Sequence, residues 1–326
     1  MAVRVGPLVL PNPVMTASGT AGHGAELGAY FELSRLGAVV VKSLSAEPWP
    51  GNPPPRLHPA AAGMLNSVGL QNPGVGAWLQ GDLPGLVDAG ARVVVSVWGR
   101  SVGSYREVAE RLSAGLAAVG HGRSGDGARA AHPGRVVAVE ANISCPNVED
   151  RQRMFAHSPG SAAAAVGAVV DGLSGLGLPV WAKLSPNVTD VVEVAAAVME
   201  AGAGALTLVN TLMGMAVDPL SGRPVLGGGG GGLSGAALHP VAVRMVRECR
   251  LAFPAATIVG VGGVATGRDA AEMLAAGADA VQVGTATFAD PRAPLRVVRE
   301  LEAFCARHDL ASVRALQRWL DGGPVG

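Results

Sequence analysis

Residues 257–286 read TIVGVGGVATGRDAAEMLAAGADAVQVGTA, and this stretch decides between two folds. A short apolar run, a glycine pair, an alanine-rich amphipathic segment and a second apolar run indicate a strand, a turn, a helix and a strand. The glycine pair follows the seventh apolar run of the chain. An open doubly wound sheet usually has its glycine-rich phosphate turn after the first strand, but the first run ends in ASGTAGHG (17–24), which lacks that spacing. The stretch therefore favours a closed barrel.

The same alternation of apolar runs and helical segments extends along the chain from residue 12. The predicted strands cover 13–18, 38–44, 92–98, 136–144, 179–185, 205–211, 257–263 and 280–286. Apolar strands that alternate with amphipathic helices indicate a parallel sheet covered on both faces. Eight such strands suit an α/β protein with a (β/α)8 TIM barrel, so we predict a single domain over 1–326. The opening VRVGPLVLPNP (3–13) predicts a hairpin across the N-terminal end of the barrel.

Three segments interrupt this rhythm. The excursion at 45–75 follows the second strand, and loops of that length are usually functional. The polar insertion at 121–135 precedes the fourth strand, so we expect it to be exposed at the N-terminal end of the barrel, away from chemistry. The stretch 222–235 contains six consecutive glycines and predicts a flexible loop, either a phosphate cradle or a low-complexity connection.

Composition excludes several classes of function. The chain has 326 residues, 49% of them hydrophobic, with 25 basic and 25 acidic side chains and no basic cluster, which argues against nucleic acid. Cys145, Cys249 and Cys305 lie far apart without a CxxC pair, so neither a disulfide framework nor a metal or iron–sulfur site is expected within the chain. No apolar stretch is long enough to span a bilayer, and we expect a soluble cytoplasmic protein.

Polar residues and glycines gather at the predicted strand ends, where a barrel of this type forms its active site. They are Ser18, Lys42, Ser43, Asn142, Cys145, Lys183, Asn210, Thr211, Gly262, Gly263, Gly284 and Thr285. Each has an ordinary structural explanation, as a snorkelling lysine, a turn residue or a tight glycine turn. However, both lysines lie in apolar strands, where an unpaired ammonium is costly, and a bound anion or electron-rich ring would explain them. With the paired glycine turns, the pattern favours a mononucleotide cofactor.

Cys145 lies in ANISCPNVED (141–150), directly after an apolar strand. Free cysteine is among the most buried residue types, so Cys145 can be a small core residue before a turn. That is the usual explanation for a lone cysteine, and the alternative is a reactive thiol among the polar strand ends.

The motifs that carry this pattern resemble the class 1 dihydroorotate dehydrogenases over nearly the whole chain. They are VKS (41–43), MLNSVGLQNPG (64–74), ANISCPNV (141–148), NTLMGMAVDPLSGRPVLGG (210–228), GGLSG (231–235) and GVGGV (260–264). The resemblance implies an FMN enzyme on a (β/α)8 barrel that oxidises dihydroorotate to orotate in pyrimidine synthesis. It also implies that Cys145 is the general base that takes the C5 proton, while the C6 hydride passes to flavin N5. Class 2 members have serine at that position and an N-terminal helical extension.

The other site residues follow from the same resemblance. It implies substrate binding by Lys42, Asn66, Val68, Gly69, Leu70, Asn142, Asn210 and Thr211. It implies FMN binding by Ser18, Lys42, Ser43, Ser96, Asn142, Lys183, Val209, Gly235, Gly262, Gly263, Gly284 and Thr285. Lys183 is expected near flavin N1 and O2, where a cation stabilises the anionic reduced ring. Ser96, which is followed by the bulky Trp98, departs from the asparagine that the family commonly has there.

The stretch from Asn210 to Gly228 resembles the B-type of class 1 most. That likeness implies a partner subunit with FAD and a 2Fe–2S iron–sulfur cluster that passes electrons to NAD, around a homodimeric catalytic core. The alternatives are an A-type homodimer that reduces fumarate, a dihydropyrimidine-type dehydrogenase, and an inactive barrel retained as an assembly subunit.

Overall fold

The structure is a computed structural model that describes residues 1–120, 132, 134–144 and 154–319. Its strands are β1 (Val3–Val5), β2 (Leu8–Leu10), β3 (Val14–Thr16), β4 (Val39–Val40), β5 (Leu57–Ala60), β6 (Gly63–Asn66), β7 (Arg92–Val97), β8 (Arg135–Asn142), β9 (Val180–Leu184), β10 (Ala205–Leu208), β11 (Leu212–Gly214), β12 (Gly231–Ser234), β13 (Ile258–Val261) and β14 (Ala280–Val283). Its helices are α1 (Val75–Gly81), α2 (Leu83–Asp88), α3 (Val102–Ala118), α4 (Pro159–Gly172), α5 (Val191–Glu200), α6 (His239–Ala252), α7 (Gly267–Ala275), α8 (Ala286–Ala289), α9 (Ala293–Arg307) and α10 (Val313–Trp319).

Eight parallel strands form the central sheet, in the order β3-β14-β13-β10-β9-β8-β7-β4. The two outer strands of this order meet, because the amide of Thr16 donates to the carbonyl of Ala38 at 3.3 Å and a parallel bridge joins Met15 to Ala38. The sheet is therefore closed, which confirms the predicted barrel and excludes the open doubly wound alternative. Each of the eight predicted strands is present in the barrel.

The barrel strands are shorter than the apolar runs predicted. For example, β4 covers only Val39–Val40, and the backbone beyond it bonds to loops as well as to the sheet. The Lys42 amide donates to the carbonyl of Gly22 at 3.0 Å, and that of Leu44 donates to Ser96 at 2.9 Å. Polar residues at this strand end therefore lie on backbone that is held by a loop and by the neighbouring strand β7.

The hairpin of β1 and β2 closes the N-terminal end of the barrel, as predicted. Its apolar side chains Val5, Leu8 and Leu10 are buried in one cluster with strand residues such as Met15 and Trp181. Since this cluster fills the lower interior, the open end of the barrel is the end where the strands terminate.

A four-stranded antiparallel sheet lies over that open end, in the order β11-β12-β6-β5. The excursion at 45–75 contributes β5 and β6, and the glycine-rich stretch contributes β12. The prediction of a loop throughout 222–235 was therefore wrong at Gly231–Ser234. The insertion at 121–135 lies mostly outside the described residues.

Close packing explains the glycines of β12. A Cβ atom on Gly231 would lie 2.3 Å from the carbonyl oxygen of Asn66, and one on Gly232 would lie 2.0 Å from Oγ1 of Thr211. The two glycines let β12 pack closely against Asn66 and Thr211. The sequence had suggested a phosphate cradle or a low-complexity loop here, and neither explanation included this packing. Among the described helices, none combines the length and the hydropathy that a membrane span needs.

Candidate active site

One cavity opens at the C-terminal ends of the barrel strands, beneath the antiparallel sheet. With the exception of Ser96, every predicted site residue in the described part of the chain lines it: Ser18, Lys42, Ser43, Asn66, Val68, Gly69, Leu70, Asn142, Lys183, Val209, Asn210, Thr211, Gly235, Gly262, Gly263, Gly284 and Thr285. Cys145 lies outside the described residues, although its neighbour Ser144 lines the cavity. Residues from distant parts of the chain therefore converge on one site.

A chain of side-chain hydrogen bonds crosses one wall of the cavity. Asn142 Nδ2 donates to Ser43 Oγ at 3.1 Å, and Asn142 Oδ1 accepts from Nδ2 of Asn210 at 3.1 Å. Oδ1 of Asn210 in turn accepts from the backbone amide of Thr211 at 2.8 Å. The hydroxyl of Tyr105 holds the strand end, because it donates to the carbonyl of Asn142 at 2.7 Å. The amides thus have fixed orientations, as a site that reads a polar planar ligand requires.

Ser96 supports this wall from behind. Its side chain is fully buried, and its Oγ lies 2.9 Å from Ser43 Oγ, which is itself 3.2 Å from Ser18 Oγ. Ser96 does not line the cavity, and the contact with a cofactor that the resemblance implied stays a prediction. The contact that the structure shows for the Ser96 hydroxyl is with Ser43.

Lys42 and Lys183 are the only lysines in the sequence, and both line the cavity. Lys42 lies beside Gly19, since a Cβ atom added there would be 3.3 Å from Nζ. Lys183 is only 5% exposed, and its Nζ lies 3.6 Å from Oε1 of Glu140. Every other basic side chain apart from histidine is arginine, so the cavity holds two compact ammonium groups of a kind used nowhere else in this chain.

His23 adds little positive charge near Lys42. Burial is the main cause that lowers the pKa of His23, and the Lys42 charge lowers it further, against the opposing effects of Asp82 and Glu26. A lowered pKa keeps the imidazole neutral at neutral pH. Of these two groups, Lys42 is therefore the one that brings positive charge to the cavity.

The strand ends of β13 and β14 form a glycine-rich corner of the cavity. Gly263 has a positive φ of 67°, and a Cβ atom there would lie 2.9 Å from the carbonyl oxygen of Gly235. Thr285 Oγ1 donates to Oγ of Ser234 at 2.8 Å, which joins the end of β14 to the end of β12. Gly262, Gly263 and Gly284 line the cavity, and glycines in a cavity wall let a phosphate approach the backbone amides closely.

The excursion after β4 forms the opposite rim. Asn66 Nδ2 donates to the carbonyl of Gly232 at 3.2 Å, so β6 holds this amide against β12. Gly69 and Leu70 have φ values of 70° and 63°, and left-handed backbone is uncommon for leucine. The turn therefore holds a strained conformation at the cavity edge, which is frequent at ligand sites.

Sequence reasoning missed two buried residues, Glu140 and Gln282. Gln282 Nε2 donates to Oε2 of Glu140 at 2.8 Å, and Oε1 of the same carboxylate faces Lys183. Glu140 in VVAVEAN shares the feature that marked both lysines, a charged side chain inside an apolar strand.

Comparisons with known proteins agree with this geometry. The family model described as "Dihydroorotate dehydrogenase" matches residues 1–121 and 127–305. Relatives named "Dihydroorotate dehydrogenase B (NAD(+)), catalytic subunit" include those of Geobacter sp. (strain M21), 46% identical, and Alkaliphilus oremlandii (strain OhILAs), 41% identical. Each alignment covers 97% of this chain, with 96% and 97% of the respective relative. On this match and the convergence of the predicted residues on one cavity, the chain belongs to the dihydroorotate dehydrogenase family of oxidoreductases.

Proposed function

We propose that the chain catalyses the FMN-dependent oxidation of (S)-dihydroorotate to orotate in pyrimidine biosynthesis, as a cytoplasmic enzyme. The observation that carries this proposal is the shared cavity of Lys42, the linked amides of Asn142 and Asn210, and the glycine-rich corner. Together they supply a cation for a carboxylate, oriented amides for a polar ring, and a glycine-rich wall for a phosphate, all at the C-terminal end of the barrel.

The residues present suit FMN. The corner of Gly235, Gly263 and Thr285 has no bulky side chain where a phosphate would lie, and Gly263 adopts a conformation that disfavours other residues. Ser43 and Lys183 offer donors to a polar ring edge. When bound, FMN supplies the acceptor for the hydride that leaves C6 of dihydroorotate.

Substrate recognition is assigned to Lys42 and the amides. The ammonium of Lys42 pairs with the substrate carboxylate through charge-assisted hydrogen bonds. Asn66, Asn142, Asn210 and Thr211 supply donors and acceptors for the ring amides, and each of the four is already hydrogen-bonded to another of them or to β12. A ligand that lacked these groups would leave buried polar atoms unpaired, which is costly.

The base is assigned to Cys145, which follows the cavity residue Ser144 in the sequence. A thiol accepts the C5 proton when its surroundings favour the thiolate, as a neighbouring cation does. The reaction removes this proton and the C6 hydride, so a double bond forms between C5 and C6.

The electron acceptor is assigned to NAD, reached through a partner subunit that carries FAD and a 2Fe–2S cluster. Support comes from the names of the relatives, which specify NAD(+) and a catalytic subunit. We further propose a homodimeric catalytic core. A fumarate-reducing homodimer is the alternative outcome of the same tests.

The proposal is tested with purified protein reconstituted with FMN and mixed anaerobically with dihydroorotate. We expect the visible absorbance of the oxidised flavin to disappear, because dihydroorotate reduces the ring. Lys42→Ala should weaken orotate binding and slow this reaction, whereas Arg106→Ala, which removes an exposed ion pair with Asp171, should change neither. Protein that binds no FMN, or a Lys42→Ala variant that binds orotate normally, would contradict the assignment.

A further inference from the structure

A layer of buried polar side chains lies inside the barrel, between the apolar interior and the cavity. Side chains two positions apart on a strand point to the same face. Val94, Ala138, Trp181, Ala205 and Ala280 belong to the apolar cluster closed by the hairpin. The residues two positions further along the same strands are Ser96, Glu140, Lys183, Thr207 and Gln282. Each of these five is at most 5% exposed.

Glu140 occupies the centre of this layer. Its side chain has no exposed surface, its Oε2 accepts from Gln282, and its Oε1 accepts no hydrogen bond from any described residue. The ammonium of Lys183 lies 3.6 Å from Oε1. The carboxylate is thus held by an amide on one side and faces a cavity lysine on the other.

Stability alone is a poor explanation for this ion pair. Removing two charges from water is costly, and buried pairs are often no better for stability than apolar residues of the same size. The distance of 3.6 Å between Lys183 Nζ and Glu140 Oε1 is also longer than a hydrogen bond, so the carboxylate does not take up a hydrogen of the ammonium. The arrangement instead leaves ammonium hydrogens available to a ligand in the cavity that Lys183 lines.

We propose that Glu140 is a positioning residue, which holds the Lys183 ammonium at the cavity floor and balances its charge until a ligand does so. Its consequence for the cofactor rests on the proposed function. With Glu140 in place, the oxidised and uncharged flavin ring would lie beside an ion pair, Lys183–Glu140, that has no net charge. The extra negative charge of a reduced ring is attracted by Lys183 and opposed by Glu140, so this carboxylate limits how strongly the site favours reduced FMN.

The contact itself can be tested without any cofactor. Because the sequence contains only two lysines, protein labelled with ¹³C-lysine gives two ε-methylene resonances, which Lys42→Arg and Lys183→Arg assign. In Glu140→Gln the Lys183 resonance should move, while that of Lys42 serves as the internal reference. Asp279→Asn is the matched control, because it removes one carboxylate charge from a different ion pair, the one that Asp279, just before β14, forms with Arg250 of α6. An unmoved Lys183 resonance in Glu140→Gln would overturn the contact.

The effect on FMN is measured as the ratio of the dissociation constants of oxidised and reduced cofactor, obtained from the midpoint potential and direct titration. Glu140→Gln should raise the preference for reduced FMN about tenfold, the factor that corresponds to one pKa unit of differential interaction. Lys183→Met should lower it by about the same factor. Glu140→Asp, which keeps the charge on a shorter side chain, is the second variant if the first folds poorly, and should give a smaller rise.

The double variant separates a positioning role from a general disturbance of the core. The proposed effect of Glu140 on FMN depends on its pairing with the Lys183 ammonium. Glu140→Gln should therefore change nothing in a Lys183→Met background, and a tenfold rise there would refute the dependence on Lys183. If wild-type protein binds no FMN, the proposed function fails while the lysine resonances still decide the contact. If FMN binds normally and both single variants keep the wild-type ratio, the inference fails and the proposed function stands.

Discussion

Replacing Gly232 by alanine tests whether the glycine run shapes the substrate site. Gly232 belongs to β12 and lies against Thr211, a proposed substrate residue. A Cβ atom on Gly232 would lie 2.0 Å from Oγ1 and 2.5 Å from Cβ of Thr211. Rotation of the threonine side chain moves Oγ1 but not Cβ, so the backbone of one segment has to shift.

The size of this shift follows from the contact distances. Ordinary van der Waals contact begins at 3.4 Å, so the 2.5 Å approach has to lengthen by about 0.9 Å. A misplacement of about 1 Å in a binding constellation can cost on the order of 10²-fold, and overpacking typically costs about 1–3 kcal/mol of stability. We therefore expect Gly232→Ala to weaken orotate binding by about two orders of magnitude, with a moderate decrease in the free energy of unfolding.

Gly230→Ala is the matched control from the same run of glycines. A Cβ atom there would lie 3.4 Å from the carbonyl oxygen of Gly214 and 4.0 Å from Cε of Met215, which are ordinary contacts. Orotate titration, followed by the change in the flavin spectrum, and chemical unfolding should both give nearly wild-type values. Equal orotate affinity in the two variants would refute the steric argument.

Three further predictions concern other residues of the chain. Cys145→Ser should slow the reduction of FMN by dihydroorotate about 10²–10⁴-fold at neutral pH, with a rate that rises with pH, and an unchanged single-turnover rate would make Cys145 an ordinary core residue. Ser96→Ala removes the 2.9 Å contact with Ser43 Oγ and should cost about 0.5–1.5 kcal/mol of stability and weaken FMN retention, measured by unfolding and by flavin release. Burial raises the pKa of Cys249 to about 12, so at pH 8 only about 10⁻⁴ of this thiol is ionised, and alkylation followed by mass spectrometry should leave it unmodified in folded protein. Rapid modification of Cys249 would show that its helix opens.

The fold was predictable from the sequence because the signals that specify it are local. Each barrel strand is an apolar run of a few residues, and each helix beside it repeats its apolar positions at helical spacing. The hairpin of β1 and β2 needs contacts only over the first ten residues. The barrel rule then placed Lys42, Asn142 and Lys183 at one end, because parallel strands end together.

Only the tertiary structure decided which residues support the site from outside the expected motifs. The amide of Gln282 reaches Glu140 across 142 positions of the chain, and Asn66 reaches Gly232 across 166. No periodicity along the sequence specifies such pairings, since they arise from the closure of the barrel and the packing of two sheets. Local composition therefore predicted a loop for the glycine run. In the structure, its last two glycines begin β12, which packs closely against Thr211. In the same way, the sequence revealed both cavity lysines by their apolar surroundings, but the counter-charge of Lys183 became visible only when β8 and β9 lay side by side.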